Sequence, residues 1–321
     1  MITGKLLGLV VAGALLASAS AFAQDYPTRP IKFIVGAAPG SVTDLVPRIL
    51  GQEFSERLGW NTTIDYKPGG DYIIGTQAAV DAAPDGYTLY QAVTPNTILP
   101  YSHKTSFDFM RDLAPITRTT VVQSAFGLAN NIPAKNIQEL IAWSKANPGK
   151  ISGGASGANS PLRFAFEAVK LKTGMDGQYI AYKSGSVALA DVLGGSLPIA
   201  LTGVGNLAQP RRDGKLKIVL IMSQNRNSIF PDIPTMKDLG VEATGDAWFG
   251  FMTRAGTPAP IIARLHKEIV AILQLPDVKA QFNKAGLDTL YDASPEAFRK
   301  YLETEIAIWG DIIKKTGMKF Q

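Results

Sequence analysis

The 321-residue sequence contains no cysteine and only two histidines, His103 and His266. Without cysteine, the chain forms no disulfide, carries no lipid-modified cysteine and offers no thiolate ligand to a metal. The local signatures of serine hydrolases, P-loop nucleotidases and zinc peptidases (G-x-S-x-G, G-x-x-x-x-G-K-[ST] and H-E-x-x-H) are also missing. We therefore expect no catalytic residue, metal site or cofactor. A secreted enzyme acting on a carboxylated substrate is the alternative.

Long hydrophobic runs are lacking beyond the N-terminus. Lys5 precedes an apolar run over residues 6–16 and then small residues that end in Ala21-Phe22-Ala23. This pattern predicts a secretory signal peptide over residues 1–23, cleaved before Gln24. A membrane anchor is disfavoured because the run is shorter than the roughly 20 residues that a span needs. In a Gram-negative envelope, the mature chain is expected to be free in the periplasm.

The charge is mildly positive, with a net value of +5. Lysine and arginine are spread along the chain and form no basic run, which is typical of a solvated surface and not of a nucleic-acid site. We expect no nucleic-acid partner, and we expect a monomer. A weak positive field helps to collect anionic ligands.

Strand-like and helix-like segments alternate along the chain. Strands are predicted at 31–35, 61–66 and 87–93, with helices between them from Thr43 or Asp44 to Leu58 and over 71–82. The alternation restarts at 124 and is followed after Trp248 by helical patterns at 258–273 and 295–315. Such alternation predicts two largely parallel α/β arrays. The final segment is expected to return and cover the first array.

Two similar loops, at residues 37–44 and 153–161, each follow a predicted strand and open into a helix. A helix N-terminus presents unpaired N–H groups and a partial positive charge, and small residues let an anion approach them. Ser160 is predicted to cap the second helix and Pro161 suits its first position. The two loops together predict sites for two carboxylates.

Four features of the sequence allow more than one interpretation. Arg163 is either a carboxylate-binding guanidinium or a surface residue, and Phe164 faces either the cleft or a packed core. Asp44 invites a nucleophile hypothesis, but an acid at a helix start more commonly caps that end. Residues 203–208 fit G-x-G-x-x-A, although Pro210 and Gly214 leave little room for the helix that dinucleotide binding requires.

Six short motifs occur in an order that resembles the Bug-type solute receptors of tripartite tricarboxylate transporters. They are YPTRPI at 26–31, DGYTL at 85–89, YKSG at 182–185, DVLGG at 191–195, PDIPT at 231–235 and AGTPAP at 255–260. The resemblance covers the chain from Tyr26 to the C-terminus. It implies an α/β, type II-like periplasmic-binding-protein fold, with domain 1 at 24–125 plus 247–321 and domain 2 at 126–246. A small carboxylate would be enclosed between the domains and delivered to membrane permease subunits; a signalling receptor is the alternative recipient.

Three departures from the family pattern bear on the ligand. The family commonly has P-P-G-G-S-T-D where this chain has residues 38–44, so that a hydroxyl position becomes Val42. In the second loop the chain gains Arg163 and Phe164, and a frequent Phe-Asp-Asn becomes Leu201-Thr202-Gly203. Losing buried polar partners disfavours hydroxyl- or amino-bearing ligands. An aromatic dicarboxylate such as terephthalate is therefore expected ahead of adipate and citrate-like ligands.

The predicted ligand-binding residues fall into two sets that follow from the loops and the resemblance. The first-domain set is Ala38, Pro39, Ser41, Val42, Thr43, Asp44, Thr94 and Trp248. The second-domain set is Ser156, Gly157, Ala158, Asn159, Ser160, Arg163, Phe164, Thr202, Val204 and Asn206. The serines, threonines and backbone N–H groups would hold carboxylates and Arg163 would compensate charge. Phe164, Val204 and Trp248 would shape the pocket.

Overall fold

The computed structural model describes residues 26–158 and 160–320. The predicted signal peptide and the candidate Asn159 lie outside these residues. Strands and helices are numbered in chain order. The strands are β1 (Ile31–Val35), β2 (Thr62–Tyr66), β3 (Thr88–Val93), β4 (Leu113–Val122), β5 (Ser124–Ala129), β6 (Ser152–Ser156), β7 (Gln178–Tyr182), β8 (Ile199–Gly203), β9 (Leu216–Ile221), β10 (Ala247–Arg254) and β11 (Asp288–Thr289).

The helices carry the remaining regular structure. They are α1 (Val42–Leu58), α2 (Ile73–Val80), α3 (Leu99–Ser102), α4 (Phe109–Asp112), α5 (Ile137–Ala146), α6 (Pro161–Thr173), α7 (Gly185–Leu193), α8 (Val204–Arg212), α9 (Ala259–Leu273), α10 (Pro276–Lys284) and α11 (Pro295–Thr316), with short 3-10 helices at Thr94–Thr97 and Lys237–Leu239. The strands predicted at 31–35 and 61–66 and the helix predicted at 71–82 are thereby confirmed to within two residues. Helix α8 does form after Gly203, contrary to the expectation that Pro210 prevents it.

The strands form two mixed sheets. The first has the order β11-β4-β10-β3-β1-β2, in which β1, β2 and β3 are parallel and β10, β4 and β11 are antiparallel to their neighbours. The second has the order β7-β6-β8-β5-β9, with β6 parallel to β7 and β8 and with β5 antiparallel to β8 and β9. Because ligands bind beyond the carboxyl ends of parallel strands, the loops after β1, β2, β3 and β6 are the natural site elements.

The chain passes between the sheets twice, at Gln123 and through residues 222–246. The predicted domain boundary at 125/126 therefore falls inside β5, whose residues from Ser124 onward pair only with strands of the second sheet. The predicted return at 247 coincides with the first residue of β10. The alternation predicted to restart at 124 coincides with the first residue of β5, which follows β4 with one residue between them.

Helix α1 shows how local sequence sets the first loop. Val46, Leu50 and Phe54 recur at helical spacing and are fully buried beneath β1. Gly59 ends the helix with φ of 67°, a left-handed conformation that glycine adopts readily. The helix begins at Val42, slightly earlier than predicted, so Pro47 lies inside it and withdraws the N–H that would bond the carbonyl of Thr43.

Helix α11 packs against both sheets and not against the first alone. Phe298 and Leu302, near its N-terminus, join the core beside Trp248, whereas Trp309 and Ile312 join the core of the second sheet. The expectation that the closing helix covers the first array is correct for only half of its length. The helix thus links the two layers.

A polar cluster lies at the junction of the two sheets. Ser223 donates its hydroxyl hydrogen to Asp246 Oδ2 over 2.7 Å, and Gln123 donates to Ser223 Oγ over 3.1 Å. Asp246 Oδ1 is enclosed and has no hydrogen-bond partner among the described residues. Burial raises the pKa of Asp246 to about 7, and the nearby charge of Glu305 adds to this rise. The hydrogen bond from Ser223 acts in the opposite direction and lowers the pKa. Ionised Asp246 therefore destabilises the junction.

We predict that Asp246→Asn flattens the pH dependence of stability. Aspartate in an unfolded chain titrates near about pH 4. Because the pKa of Asp246 is raised in the folded state, protonation of Asp246 stabilises the folded protein. This stabilisation is complete below about pH 4 and is lost as the pH rises to about 7. The loss is at most about 4 kcal/mol. Urea unfolding of the wild type between pH 5 and 8 should give a falling free energy of unfolding, with a smaller slope for the variant.

The matched control is Asp311→Asn, which changes an exposed acid paired with Lys315 on α11. This control should keep the wild-type slope. A wild-type slope in Asp246→Asn would contradict the prediction.

Candidate functional site

A cleft of ≈ 250 Å³ lies between the carboxyl ends of the two sheets. One wall consists of residues that follow β2 and β3, namely Asp71, Tyr72, Pro95, Ile98, Leu99 and Ser102. The opposite wall is formed by Gly157, Ala158 and Ser160, in the loop after β6. Of the predicted site residues, these last three are the ones that line the cleft. The first wall was not predicted.

The partial positive charge at the start of α6, after the second loop, is not offset by a nearby acidic side chain. The first turn of α6 contains no acidic residue, and Pro161 occupies its first position as expected. The Ser160 side chain does not cap the helix, contrary to prediction. Its hydroxyl is instead hydrogen-bonded to the hydroxyl of Tyr179 over 3.1 Å. The Tyr179 hydroxyl also donates to the Gly157 carbonyl over 2.6 Å. The partial positive charge of this helix end is therefore available to an anion at the cleft.

Arg163 lies beside this helix end and is partly buried. Its Nη1 donates to the Ala158 carbonyl over 2.9 Å, and its guanidinium carbon lies 5.9 Å from the centre of the Tyr179 ring. The guanidinium is thus held within the second loop, where its remaining N–H groups can bind a carboxylate. It makes no ion pair with any described acid.

The first loop, in contrast, uses most of its polar groups internally. Ser41 caps α1 by accepting from the Asp44 N–H, and its hydroxyl donates to the Ala38 carbonyl over 2.8 Å. Asp44 accepts from the Gly40 N–H over 2.8 Å, from Arg48 Nε over 2.7 Å and from the Tyr66 hydroxyl over 2.6 Å. Although burial acts in the opposite direction, these hydrogen bonds hold the pKa of Asp44 below its usual range. Asp44 therefore stabilises the loop, and its negative charge offsets the partial positive charge at the start of α1.

The first two N–H groups of α1 remain without an acceptor among the described residues. They belong to Val42 and Thr43, and neither has a hydrogen-bond partner among the described residues. The side chain of Val42 is 47% exposed, whereas Thr43 is buried. Ala38 and Pro39 are exposed at the loop tip and do not line the cleft. The first loop is thus a weaker anion site than the second.

Phe164 and Trp248 do not face the cleft, which corrects the sequence-based expectation. Phe164 is fully buried, with its ring 5.1 Å from Trp309 and 6.1 Å from Phe320. Trp248 is 1% exposed and packs edge-on against Phe298. Both rings face helix α11, which a helical wheel of the local sequence does not reveal.

Other predicted residues lie around the junction and not at the cleft wall. The Thr94 hydroxyl donates to the Asp246 carbonyl over 3.3 Å and accepts from the Trp248 N–H over 2.9 Å. Thr202 is buried and accepts from the exposed Asn206 side chain over 3.0 Å, and Val204 is buried in the second core. The hydroxyls of Thr94 and Thr202 are therefore already bonded within the protein.

The unpredicted wall residues Asp71 and Tyr72 have an unusual backbone. Their φ angles are 48° and 73°, in the left-handed region that residues other than glycine rarely adopt. The Asp71 carboxylate is 61% exposed and lies 3.6 Å from His103 Nε2. One sequence signal was present, since a Gly69-Gly70 pair follows a predicted strand at the edge where ligands bind.

Comparison with known proteins gives a consistent result. The sequence matches the family described as tripartite tricarboxylate transporter family receptor, TctC, over residues 46–318. Protein BugT of Bordetella pertussis is 30% identical over 319 residues, which cover 98% of this chain and 97% of BugT. A TctC solute-binding protein from Polaromonas, solved without ligand, has a TM-score of 0.82 at 25% identity and covers 90% of this chain and 99% of its own.

A more distant structure shares the fold. A protein of R. palustris solved with adipate has a TM-score of 0.72 at 22% identity, covering 92% of this chain and all of its own (100%). At this identity the likeness concerns the arrangement of helices and strands. It agrees with the two mixed sheets described above.

Two mixed α/β sheets, two crossing segments and a cleft between the carboxyl ends of their strands define a periplasmic solute-binding protein. Within that class, the chain belongs to the tripartite tricarboxylate transporter receptor family. Receptors of this family are periplasmic, bind small carboxylates and work with membrane transporter components. The chain is thus a transport receptor and not an enzyme. Across residues 26–158 and 160–320, no helix is long and apolar enough to cross a bilayer.

We predict that Arg163→Ala weakens carboxylate binding by more than about tenfold, because it removes the charged donor beside the start of α6. The fold should be retained, since the guanidinium makes a single hydrogen bond to a loop carbonyl. Calorimetry with a carboxylate found by ligand screening measures the change in Kd. Arg212→Ala, at an exposed arginine at the end of α8, is the control. An unchanged Kd for Arg163→Ala would remove Arg163 from the site.

Proposed function

We propose that this protein captures a small dicarboxylate, with a terephthalate-like or adipate-like spacer, by closing its two domains over the cleft, and delivers it to the membrane subunits of a tripartite tricarboxylate transporter. The observation that carries this proposal is the uncompensated start of α6 at the cleft, with Arg163 fixed next to it. Helix N-termini of this kind favour carboxylates.

The wall at Gly157 and Ala158 favours close approach of the first carboxylate. These residues present little side chain, so a carboxylate can reach the backbone N–H groups that precede α6. Arg163 compensates the charge from the side. This half of the cleft supplies both the positive potential and the directed donors.

On domain closure, the second carboxylate would reach the N–H groups of Val42 and Thr43 at the start of α1, which do not line the cleft in this structure. This end is weaker because Asp44 offsets its positive charge. Between the two ends, Tyr72, Pro95, Ile98 and Leu99 present a mostly apolar surface to the ligand spacer. Such a cleft favours a diacid with an apolar spacer over a polyhydroxylated acid, whose hydroxyls would lack partners.

The proposal also covers the export of the protein and the oligomeric state of the mature chain. Residues 1–23 would act as a signal peptide cleaved before Gln24, and the chain would act as a periplasmic monomer. The crossing at Gln123 and residues 222–246 would serve as the hinge for closure. N-terminal sequencing and light scattering of the exported protein test these two points.

A thermal-shift screen tests the ligand class. A ligand that binds only the folded state raises Tm with the logarithm of its concentration. We expect terephthalate and adipate to raise Tm of the wild type, with smaller shifts for citrate and aspartate, and we expect Arg163→Ala to lose most of each shift. Tight binding of citrate or aspartate, with none of either diacid, would contradict the proposed ligand class.

Asp71→Asn should strengthen the binding of dianionic ligands several-fold. The exposed carboxylate of Asp71 lies on the cleft wall, and a unit charge several ångströms from the ligand in a largely aqueous setting costs about 1 kcal/mol. The Kd of a diacid measured by calorimetry at low and high salt reports this repulsion, which salt should reduce.

The control for Asp71 is Asp81→Asn, at an exposed acid at the far end of α2. It should leave Kd unchanged. Weaker binding in Asp71→Asn would show instead that Asp71 accepts a hydrogen bond from the ligand.

A further inference from the structure

Tyr72 has a conformation for which its residue type is poorly suited. Its φ is 73° and its ψ is 1°, and a bulky side chain in this region carries a steric cost. Two glycines, Gly69 and Gly70, immediately precede this turn and show positive φ without that cost. Tyr72 also occupies the N-cap position of α2 but makes no side-chain cap. Neither backbone geometry nor capping accounts for a tyrosine here.

The surroundings of Tyr72 fix its ring in one orientation. The ring lies so close to the backbone of Gly36 that a β-carbon at that position would stand 2.7 Å from Tyr72 Cδ1. The ring also packs against the core of the first sheet. The carbonyl of Tyr72 accepts from both the N–H and the hydroxyl of Thr76, each over 2.9 Å. The close approach to Gly36 and the packing against the core therefore restrict the ring, and the two hydrogen bonds from Thr76 fix the backbone of Tyr72.

Tyr72 is partly exposed and contributes to the wall of the cleft. Tyr72 lines the ≈ 250 Å³ cavity on the same wall as Pro95 and Ile98, opposite the small residues Gly157 and Ala158. An aromatic residue opposite a wall of small residues leaves room for a ligand ring beside the start of α6. Aromatic rings favour offset or edge-on contact with another ring.

We infer that Tyr72 is the specificity-determining residue of the cleft and that it selects a carboxylate whose spacer is a flat aromatic ring. This inference rests on the proposed function, because it requires a carboxylate anchored at α6. It assigns to Tyr72 the aromatic contact that the sequence had suggested for Phe164. The strained backbone is maintained because the ring is already oriented for the ligand.

The test compares terephthalate with adipate, two diacids that differ in the spacer. By calorimetry, the wild type should bind terephthalate more tightly. Tyr72→Leu, which keeps a bulky side chain at the same φ, should lose at least tenfold in affinity for terephthalate and less than threefold for adipate. Tyr72→Phe keeps the ring and should stay within threefold of wild type for both ligands. An equal loss for both diacids in Tyr72→Leu would overturn the inference.

A second measurement covers the case in which Tyr72→Leu does not fold. The wild type is labelled with 3-fluorotyrosine, and the Tyr72 resonance is assigned by its disappearance in Tyr72→Phe. Terephthalate should shift this resonance more than adipate does, because a stacked ring adds a ring-current effect. Equal shifts would overturn the inference. If the wild type binds no carboxylate, the proposed function fails as well; if it binds carboxylates without aromatic preference, this inference alone fails.

Discussion

The buried carboxylate of Glu305 is the interaction on which the arrangement of the two layers depends. It accepts hydrogen bonds from Trp248 Nε1 at 3.0 and 3.1 Å, from the Thr97 hydroxyl at 2.9 Å and from the Tyr301 hydroxyl at 2.7 Å. A carboxylate this deeply buried is tolerable only when donors surround it. Because those donors come from β10, from the 3-10 helix after β3 and from α11 itself, Glu305 fixes the position of α11 relative to the first sheet.

This anchoring extends into the second layer through Trp309. Its Nε1 donates to the Thr97 hydroxyl over 3.0 Å, and its ring packs on Phe164 of α6. One side of α6 therefore packs against α11, and the start of the same helix faces the cleft. The position of the anion-binding helix end is thus linked, through Phe164, Trp309 and Thr97, to a single buried acid at the junction.

The two loops that resemble each other in sequence differ in electrostatics. Asp44 satisfies the Gly40 N–H and is itself bonded to Arg48 and Tyr66, so the start of α1 carries its own counter-charge. The start of α6 has none and gains Arg163. A symmetric clamp for two carboxylates, as the sequence suggests, becomes one strong site and one weak site. The orientation of an unsymmetrical ligand follows from this difference, with its more charged end at α6.

The sequence predicts the parts of this structure that depend on local periodicity. Strands β1 and β2 and helix α2 follow from apolar spacing and turn residues, and they appear within two residues of where they were expected. Phe164 was not predictable because the residues that cover it, Trp309 and Phe320, lie about 150 positions away and a helical wheel contains no information about them. Tyr72 was missed for the opposite reason, since a bulky residue at positive φ contradicts its local propensity. Conflicts of that kind between local preference and observed structure concentrate at functional sites, and here the conflict lies on the wall of the cleft.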